Sequence, residues 1–293
     1  MTGLLGVAVD TPKTFAGRLA PSRPRTVLIC HGDSTLNRDG IAQWLASFSD
    51  LVGIVVIDET WAHTLARVRR ELKRVGLLRF LDVLAFRLYY TACLARRDTA
   101  WLRRQLSTLA SRYPDVPSTT KVLRTRDPNS QDVEQFLQRL TPDLTVARCK
   151  LLLKERIFAI PRQGTFVLHP GICPEYRNAH GSFWALAKRD LEKVGLTLLK
   201  IDNGVDTGPV YGYYSYDFDE IRESHLVIMT RVVLDNLDPI RDKLLEIHAG
   251  IAKPIDTAGR STAVWGQPWL TSYLRWKWDA RRMRDACPIA RVP

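Results

Sequence analysis

The chain has 293 residues, a hydrophobic content of 45% and a net charge of +12, so it can bury a full core in one large domain or in one domain with an appendage. Its five cysteines have spacings that exclude a paired-cysteine metal or redox motif, and their odd number favours reduced thiols. The N-terminal residues lack the basic start and long apolar stretch of a signal peptide, so we expect a cytoplasmic protein.

The positive charge is concentrated in two segments of the chain. Residues 61–126 contain 15 Lys and Arg against 4 Asp and Glu, and residues 271–293 contain 6 against 2. The basic segment 61–126 can bind RNA or an anionic membrane surface, or it can be an ordinary solvated helix face. The sequence leaves these alternatives open, and it also leaves a homodimer open.

The first predicted elements are a strand over 26–30, a helix near 41–48 and a strand over 51–57. Short buried runs on either side of a helix are typical of a βαβ unit with parallel strands. Apolar residues at helical spacing then predict a helical insertion, in the form of a hairpin, over 61–111. The charged side chains Arg79, Asp82 and Arg87 argue against a membrane-spanning helix in this insertion.

The alternation of strands and helices then resumes. We predict strands over 121–125, 144–149, 164–168, 194–202 and 210–218, with helices over 130–140 and 184–188 and one long helix over 224–247. The predicted fold is α/β, with a Rossmann-like, mostly parallel sheet over 22–249 that carries the insertion at about 61–111. A C-terminal extension over 250–293 contains four tryptophans among several arginines.

Two segments have the residue types of a reaction centre. His169 ends a predicted strand and is followed by Pro170 and Gly171, and Asp206 lies in a turn with glycines at 204 and 208. Open α/β sheets bind ligands at the carboxyl ends of their parallel strands, and glycines allow a backbone to approach a flat ligand closely. Each motif alone is more often structural than functional.

Together and in this order, the runs HPGICPEYR (169–177), FWAL (183–186) and VGLTLLKIDNGVDTGPV (194–210) resemble the formyltransferase family. Its members include methionyl-tRNA, glycinamide ribonucleotide and sugar N-formyltransferases. The resemblance implies the formyltransferase fold and formyl transfer from 10-formyltetrahydrofolate to an amine, with His169 and Asp206 as the catalytic pair. It also implies that two loops bind the pterin ring through main-chain groups: Lys150, Leu151, Leu152 and Leu153 in one, and Ile201, Asp202, Asn203, Gly204 and Val205 in the other.

One position departs from the family pattern. The family has Asn-x-His at the end of the strand, and its asparagine helps to hold the developing oxyanion, but this chain has Val167 there. Valine cannot donate a hydrogen bond, and the loss of one such donor costs on the order of 10²–10³ in rate. Three explanations stay open: a substitute donor such as Asn178 or His180, weak activity, or a scaffold that has kept the fold without transferase activity.

The acceptor is the least determined part of the prediction. Arg177, Asn178 and His180 follow the catalytic histidine and are candidates for binding the acceptor. The segment after the core is short and largely helical, whereas tRNA-formylating members have a further barrel-like domain, so we expect a small acceptor such as an amino sugar. The alternatives are methionyl-tRNA formyltransferase, a 10-formyltetrahydrofolate hydrolase and a non-enzymatic scaffold that binds its partner through the basic helices. We expect no metal site.

Overall fold

The computed structural model describes residues 23–286, so the first residue of the predicted domain and the last seven of the predicted extension, including Cys287, lie outside the described residues. The strands are β1 Arg25–His31, β2 Asp50–Ile57, β3 Lys121–Thr125, β4 Leu144–Arg148, β5 Gly164–His169, β6 Arg177–Asn178, β7 Leu196–Lys200, β8 Val210–Tyr214 and β9 Val264–Trp265. The α-helices are α1 Ala42–Phe48, α2 Trp61–Tyr89, α3 Ala95–Arg112, α4 Gln131–Leu140, α5 Glu155–Phe158, α6 Gly181–Ala187, α7 His225–Leu234, α8 Leu237–His248 and α9 Leu270–Ala286.

The central sheet has seven strands in the order β3-β2-β1-β4-β5-β7-β8. The first five of these are parallel to one another, and β7 and β8 are antiparallel to their neighbours. The predicted mostly parallel α/β fold is therefore confirmed. The strand order reverses between β1 and β4, which opens a crevice at their carboxyl ends where α/β sheets bind ligands.

Helices cover both faces of the sheet because successive side chains of a buried strand point to opposite faces. In β1, Leu28 and Cys30 belong to a core built with α1, α3, α7 and α8. Val27 and Ile29, the alternate residues, belong to a core built with α4 and α5. This double burial explains why the sequence of β1 is continuously apolar.

The predicted insertion divides into two parts that pack differently. Helix α3 packs against the sheet through the buried Leu109, so it behaves as an ordinary covering helix. Helix α2 stands further out and is kinked at Gly76, where φ is 77° and ψ is 169°. A left-handed φ of this kind is readily adopted only by glycine. None of the helices between residues 23 and 286 has the length and apolar character needed to cross a membrane.

The C-terminal half of α2 is held by an aromatic core that also includes α6 and α9. Phe86 of α2, Phe183 and Trp184 of α6, and Tyr273 and Trp276 of α9 are all buried in this cluster. The tryptophan-rich tail therefore packs on the domain and joins it to the outer helix. Trp278, by contrast, is exposed.

The prediction of one long helix over 224–247 was wrong. The segment forms two helices, α7 and α8, with a break at Asp235 and Asn236. Pro239 explains the break, because it has no N–H with which to continue the hydrogen-bond ladder to the carbonyl of Asp235.

Candidate active site

The predicted catalytic pair meets at the carboxyl end of β5. His169 is buried, and one of its ring nitrogens, Nε2, lies 2.8 Å from the carbonyl oxygen of Tyr176, to which it donates. The other, Nδ1, lies 3.4 Å from Oδ2 of Asp206, within ion-pair distance when the ring is protonated. Two residues from separate segments of the chain are thus brought into direct contact.

The turn that carries Asp206 is fixed by its own short-range contacts. The Oδ1 atom of Asp202 accepts hydrogen bonds from the N–H of Gly204 at 2.9 Å and from the hydroxyl of Thr207 at 2.7 Å. At Gly208, a Cβ atom would lie 1.9 Å from the carbonyl oxygen of Lys200, so only glycine lets the turn close against β7. The glycines of this loop therefore serve to position the Asp206 carboxylate.

Left-handed backbone conformations are concentrated around the pair. Asn178, His180 and Asp206 have φ values of 70°, 58° and 51°. Asn, Asp and His are the non-glycine residues that tolerate this region best. The conformation of Asn178 directs its backbone N–H to Oδ2 of Asp206 at 2.7 Å. The same carboxylate oxygen is thus shared by Asn178 and His169, which fixes its orientation.

The two predicted pterin-binding loops lie side by side. Leu151 and Leu153 of the first loop and Ile201 of the second belong to the same apolar cluster. The N–H of Lys150 donates to Nε2 of His31 at 2.9 Å. Burial, with a further contribution from the positive charge of Lys150, lowers the pKa of His31, so its neutral imidazole can accept this bond. His31 at the end of β1 thus holds the Lys150 loop in place.

Val167 is packed among apolar residues, whereas Asn178, one of its two possible substitute donors, is already hydrogen-bonded. The side chain of Val167 is half-buried and packs in a cluster with Leu199, Val210 and Tyr213. The side-chain amide of Asn178 donates to the carbonyl of Trp265 at 2.5 Å, so one of its donors is already used.

Arg177 has a donor to spare. Its Nη1 donates to the carbonyl oxygen of Val205 at 3.2 Å, which anchors the guanidinium beside the Asp206 loop. Its Nε is buried and has no hydrogen-bond partner among residues 23–286. Of the three predicted acceptor-binding residues, Arg177 therefore has the clearest unsatisfied donor.

His180 lines a cavity of about 250 Å³ between α2 and the domain. Phe86 and Arg87 of α2 form one wall, and His180 and His225 face them. Burial, assisted by the charges of Lys150 and Arg87, lowers the pKa of His180 to about 4, and burial likewise lowers that of His225. Both rings are therefore neutral at pH 7, and neither Nδ1 has a partner within the described part of the chain.

Sequence reasoning missed three contributors to this region: the carbonyl of Tyr176, His225 and Arg148. Arg148 ends β4 and donates from Nε to Oδ1 of Asn37 at 3.0 Å and from Nη1 to the carbonyl of Leu168. Burial lowers the pKa of Arg148 to about 10. Its place at the end of a predicted parallel strand was a usable signal, whereas the Tyr176 carbonyl could be found only from the folded backbone.

No group of three or more His, Cys, Asp or Glu side chains between residues 23 and 286 is arranged to hold a metal ion.

Part of the chain matches a known protein family. Residues 98–232 match the family model described as formyl transferase. A methionyl-tRNA formyltransferase of Parabacteroides distasonis is 31% identical over 156 residues, which are 52% of this chain and 44% of that protein. One from Dehalococcoides mccartyi is 39% identical over 79 residues, which are 27% of this chain and 25% of that protein. The chain thus matches less than half the length of each relative.

A solved structure supports the same conclusion at the level of the fold. A phosphoribosylglycinamide formyltransferase from Anaplasma phagocytophilum superposes with a TM-score of 0.51 at 12% identity, covering 84% of this chain and 100% of that one. The family match begins within α3 and leaves α2 outside it. Residues 98–232 therefore match the formyl transferase family, and this match confirms the resemblance inferred from the His169 and Asp206 motifs.

Proposed function

We propose that the chain transfers a formyl group from 10-formyltetrahydrofolate to the amino group of a small acceptor such as an amino sugar. The observation that carries the proposal is the contact between Nδ1 of His169 and Oδ2 of Asp206 at 3.4 Å. Both residues are fixed by backbone groups, the carbonyl of Tyr176 and the N–H of Asn178. A preorganised imidazole and carboxylate of this kind suit proton transfer between an attacking amine and a leaving nitrogen.

The cosubstrate supplies an activated formyl carbon, and the side chains of the chain would handle charge and protons. His169 and Asp206 would relay a proton along the line from Nδ1 to Oδ2 as the amine attacks, because Nε2 of His169 already donates to the carbonyl oxygen of Tyr176. Asp206 would orient a water molecule or the amine so that the amine proton has a path away from the new C–N bond.

The apolar residues of the two loops fit the pterin ring that the family resemblance implies. Leu151, Leu153 and Ile201 belong to one apolar cluster, which would present apolar side chains to a flat heteroaromatic ring. Leu152 is 63% exposed, as expected of a loop residue that a ligand would cover. Ligand pockets commonly combine such apolar walls with a few main-chain donors and acceptors.

Arg177 would replace the donor that Val167 cannot supply. Its Nε has no partner among the described residues, and its Nη1 is anchored on the loop that carries Asp206. A guanidinium N–H is a charge-assisted donor and is stronger than the amide of an asparagine toward an oxyanion. Arg177→Met should lower kcat by on the order of 10²-fold, as expected for loss of one oxyanion donor. Arg177→Lys, which keeps a charged donor, should retain part of the native rate.

The cavity beside His180 would bind the acceptor. Its backbone neighbour Gly181 lies against the catalytic loop, since a Cβ atom at Gly171 would be 2.8 Å from the Cα of Gly181. The volume of about 250 Å³ lies just below the common range for ligand pockets and favours a small molecule. Neutral imidazoles at His180 and His225 offer hydrogen bonds to hydroxyl groups, which suits a sugar.

The free thiols of Cys30, Cys93, Cys149 and Cys173 support a reducing compartment. We therefore propose that the reaction takes place in the cytoplasm, where thiols stay reduced.

The test is release of tetrahydrofolate by the purified protein, measured with and without a panel of amino sugars. We expect release that depends on the amine, and a loss of at least about 10²-fold in Asp206→Asn. Asp217→Asn, the same change at an exposed carboxylate, is the matched control. Release without any amine would indicate a hydrolase. No release with any acceptor would favour the scaffold alternative, which the apolar packing of Val167 supports.

A further inference from the structure

The C-terminal half of α2 exposes a row of leucines that the fold leaves uncovered. Leu77, Leu81, Leu84 and Leu88 are 66%, 53%, 39% and 73% exposed, and Leu78 beside them is 84% exposed. Their spacing of four, three and four residues places the first four on one face of the helix. We call Leu77, Leu78, Leu81, Leu84 and Leu88 the leucine face.

The leucine face points away from the domain. The buried residues of the same helix are Val83 and Phe86, and Phe86 packs into the aromatic core with α6 and α9. At 100° of rotation per residue, Phe86 lies about 160° from Leu84 and from Leu88. The leucines therefore do not belong to the interior of the chain. A row of large apolar side chains on one exposed face marks a site of contact with something else.

The neighbouring helix α9 extends this apolar surface. Its Thr271 donates its N–H to Oδ1 of Asp82 at 3.0 Å, and the rings of Tyr89 and Tyr273 have centroids 5.7 Å apart, so α2 and α9 lie side by side. Helix α9 exposes Leu274 and Trp278, at 47% and 57%. Tryptophan is the aromatic residue most typical of the boundary between water and lipid.

Arginines accompany the apolar side chains on both helices. Arg275 and Arg282 on α9 are exposed, and neither has an ion-pair partner among residues 23–286. Arg87 on α2 is also exposed, although it lines the cavity beside His180 as well. The guanidinium of Arg282 lies 5.3 Å from the ring centroid of Trp278. The surrounding segment 61–126 has 15 basic against 4 acidic residues. Unpaired cations beside leucine and tryptophan are the composition of helices that lie on anionic lipid.

We infer that the leucine face, together with Leu274 and Trp278, docks this protein on an anionic lipid surface. The leucines would enter the boundary between headgroups and acyl chains, while the arginines reach the lipid phosphates. RNA would use the arginines but leave the leucines in water. A second copy of the chain would bring two strongly basic segments together, which their mutual repulsion opposes. A lipid surface would contact both the apolar and the charged side chains. Docking on lipid does not depend on the formyl transfer reaction.

The test is cosedimentation of the full chain with vesicles of phosphatidylcholine, with and without phosphatidylglycerol. We expect at least tenfold stronger partitioning onto the anionic vesicles, because their negative surface potential attracts the arginines of both helices. Leu81→Asn combined with Leu84→Asn should lower that partitioning about tenfold. The control is Ile251→Asn, at a residue that is 63% exposed beyond the end of α8 and should not change it.

Two further measurements keep the inference falsifiable. Circular dichroism must show that the double variant has the native fold. If the double variant is misfolded, the single variant Leu88→Asn is used in its place. Sedimentation velocity should give a monomer for the native chain. A native dimer that the leucine changes dissociate would overturn the inference in favour of a second copy. Equal partitioning onto neutral and anionic vesicles, or partitioning that the leucine changes leave intact, would also overturn it.

Discussion

Replacing His180 by asparagine should make folding less sensitive to acid. Asparagine cannot titrate, and it tolerates the φ of 58° that this position requires. In the folded chain, burial lowers the pKa of His180 to about 4, with the charges of Lys150 and Arg87 acting in the same direction. In the unfolded chain the pKa returns to about 6.5.

The sign of the effect follows from proton binding. As the pH falls below about 6.5, His180 in the unfolded chain takes up a proton while the folded chain does not, so acid favours unfolding. The contribution of the neutral His180 to stability is therefore present above pH 6.5 and is lost progressively as the pH falls toward 4. This difference in pKa lowers the free energy of unfolding by about 2 kcal/mol between pH 7 and pH 5. The loss is about 1 kcal/mol if water reaches the ring.

Urea unfolding at pH 7 and pH 5 measures this directly. The free energy of unfolding of the native chain should fall by about 1–2 kcal/mol more over this interval than that of His180→Asn. Ile251→Asn, at an exposed residue beyond the end of α8 that carries no ionisable group, is the control, and it should keep the native dependence on pH. Equal losses of stability in the native chain and in His180→Asn would refute the description of His180 as a ring held neutral in the cavity.

Two further predictions concern the turn beside Asp206 and the cysteines. Gly208→Ala would place a Cβ atom 1.9 Å from the carbonyl oxygen of Lys200, so thermal unfolding should show a loss of about 1–3 kcal/mol; an unchanged melting temperature would contradict the close approach. Burial raises the pKa of Cys30 to about 12 and that of Cys149 to about 11, so iodoacetamide at pH 8 should spare both while it labels the exposed Cys93. Peptide mass mapping checks this, and rapid labelling of Cys30 or Cys149 would contradict it.

The sheet could be predicted because its signals are local. The continuous apolar run of β1 follows from burial on both faces, with Leu28 and Cys30 on one side and Val27 and Ile29 on the other. The break between α7 and α8 also has a local signal, since Pro239 cannot continue a helix that begins before Asp235.

The candidate site could be predicted only in part. His169 and Asp206 stand at strand ends and in turns, where residue type and position point to a site. The groups that orient them, the carbonyl of Tyr176 and the N–H of Asn178, are main-chain atoms common to every residue, so no sequence pattern marks them. The contact between Thr271 and Asp82 joins helices far apart in the chain, and it requires the folded structure.

We propose that His169 and Asp206 form the reaction centre, beside the two loops that would bind the folate. The most direct test is a calorimetric titration with a stable analogue of 10-formyltetrahydrofolate. It is made on the native chain, on Asp206→Asn and on the control Asp217→Asn. We expect saturable binding to the native chain and to the control, with altered affinity in Asp206→Asn. Absence of binding to the native chain at millimolar analogue would contradict it.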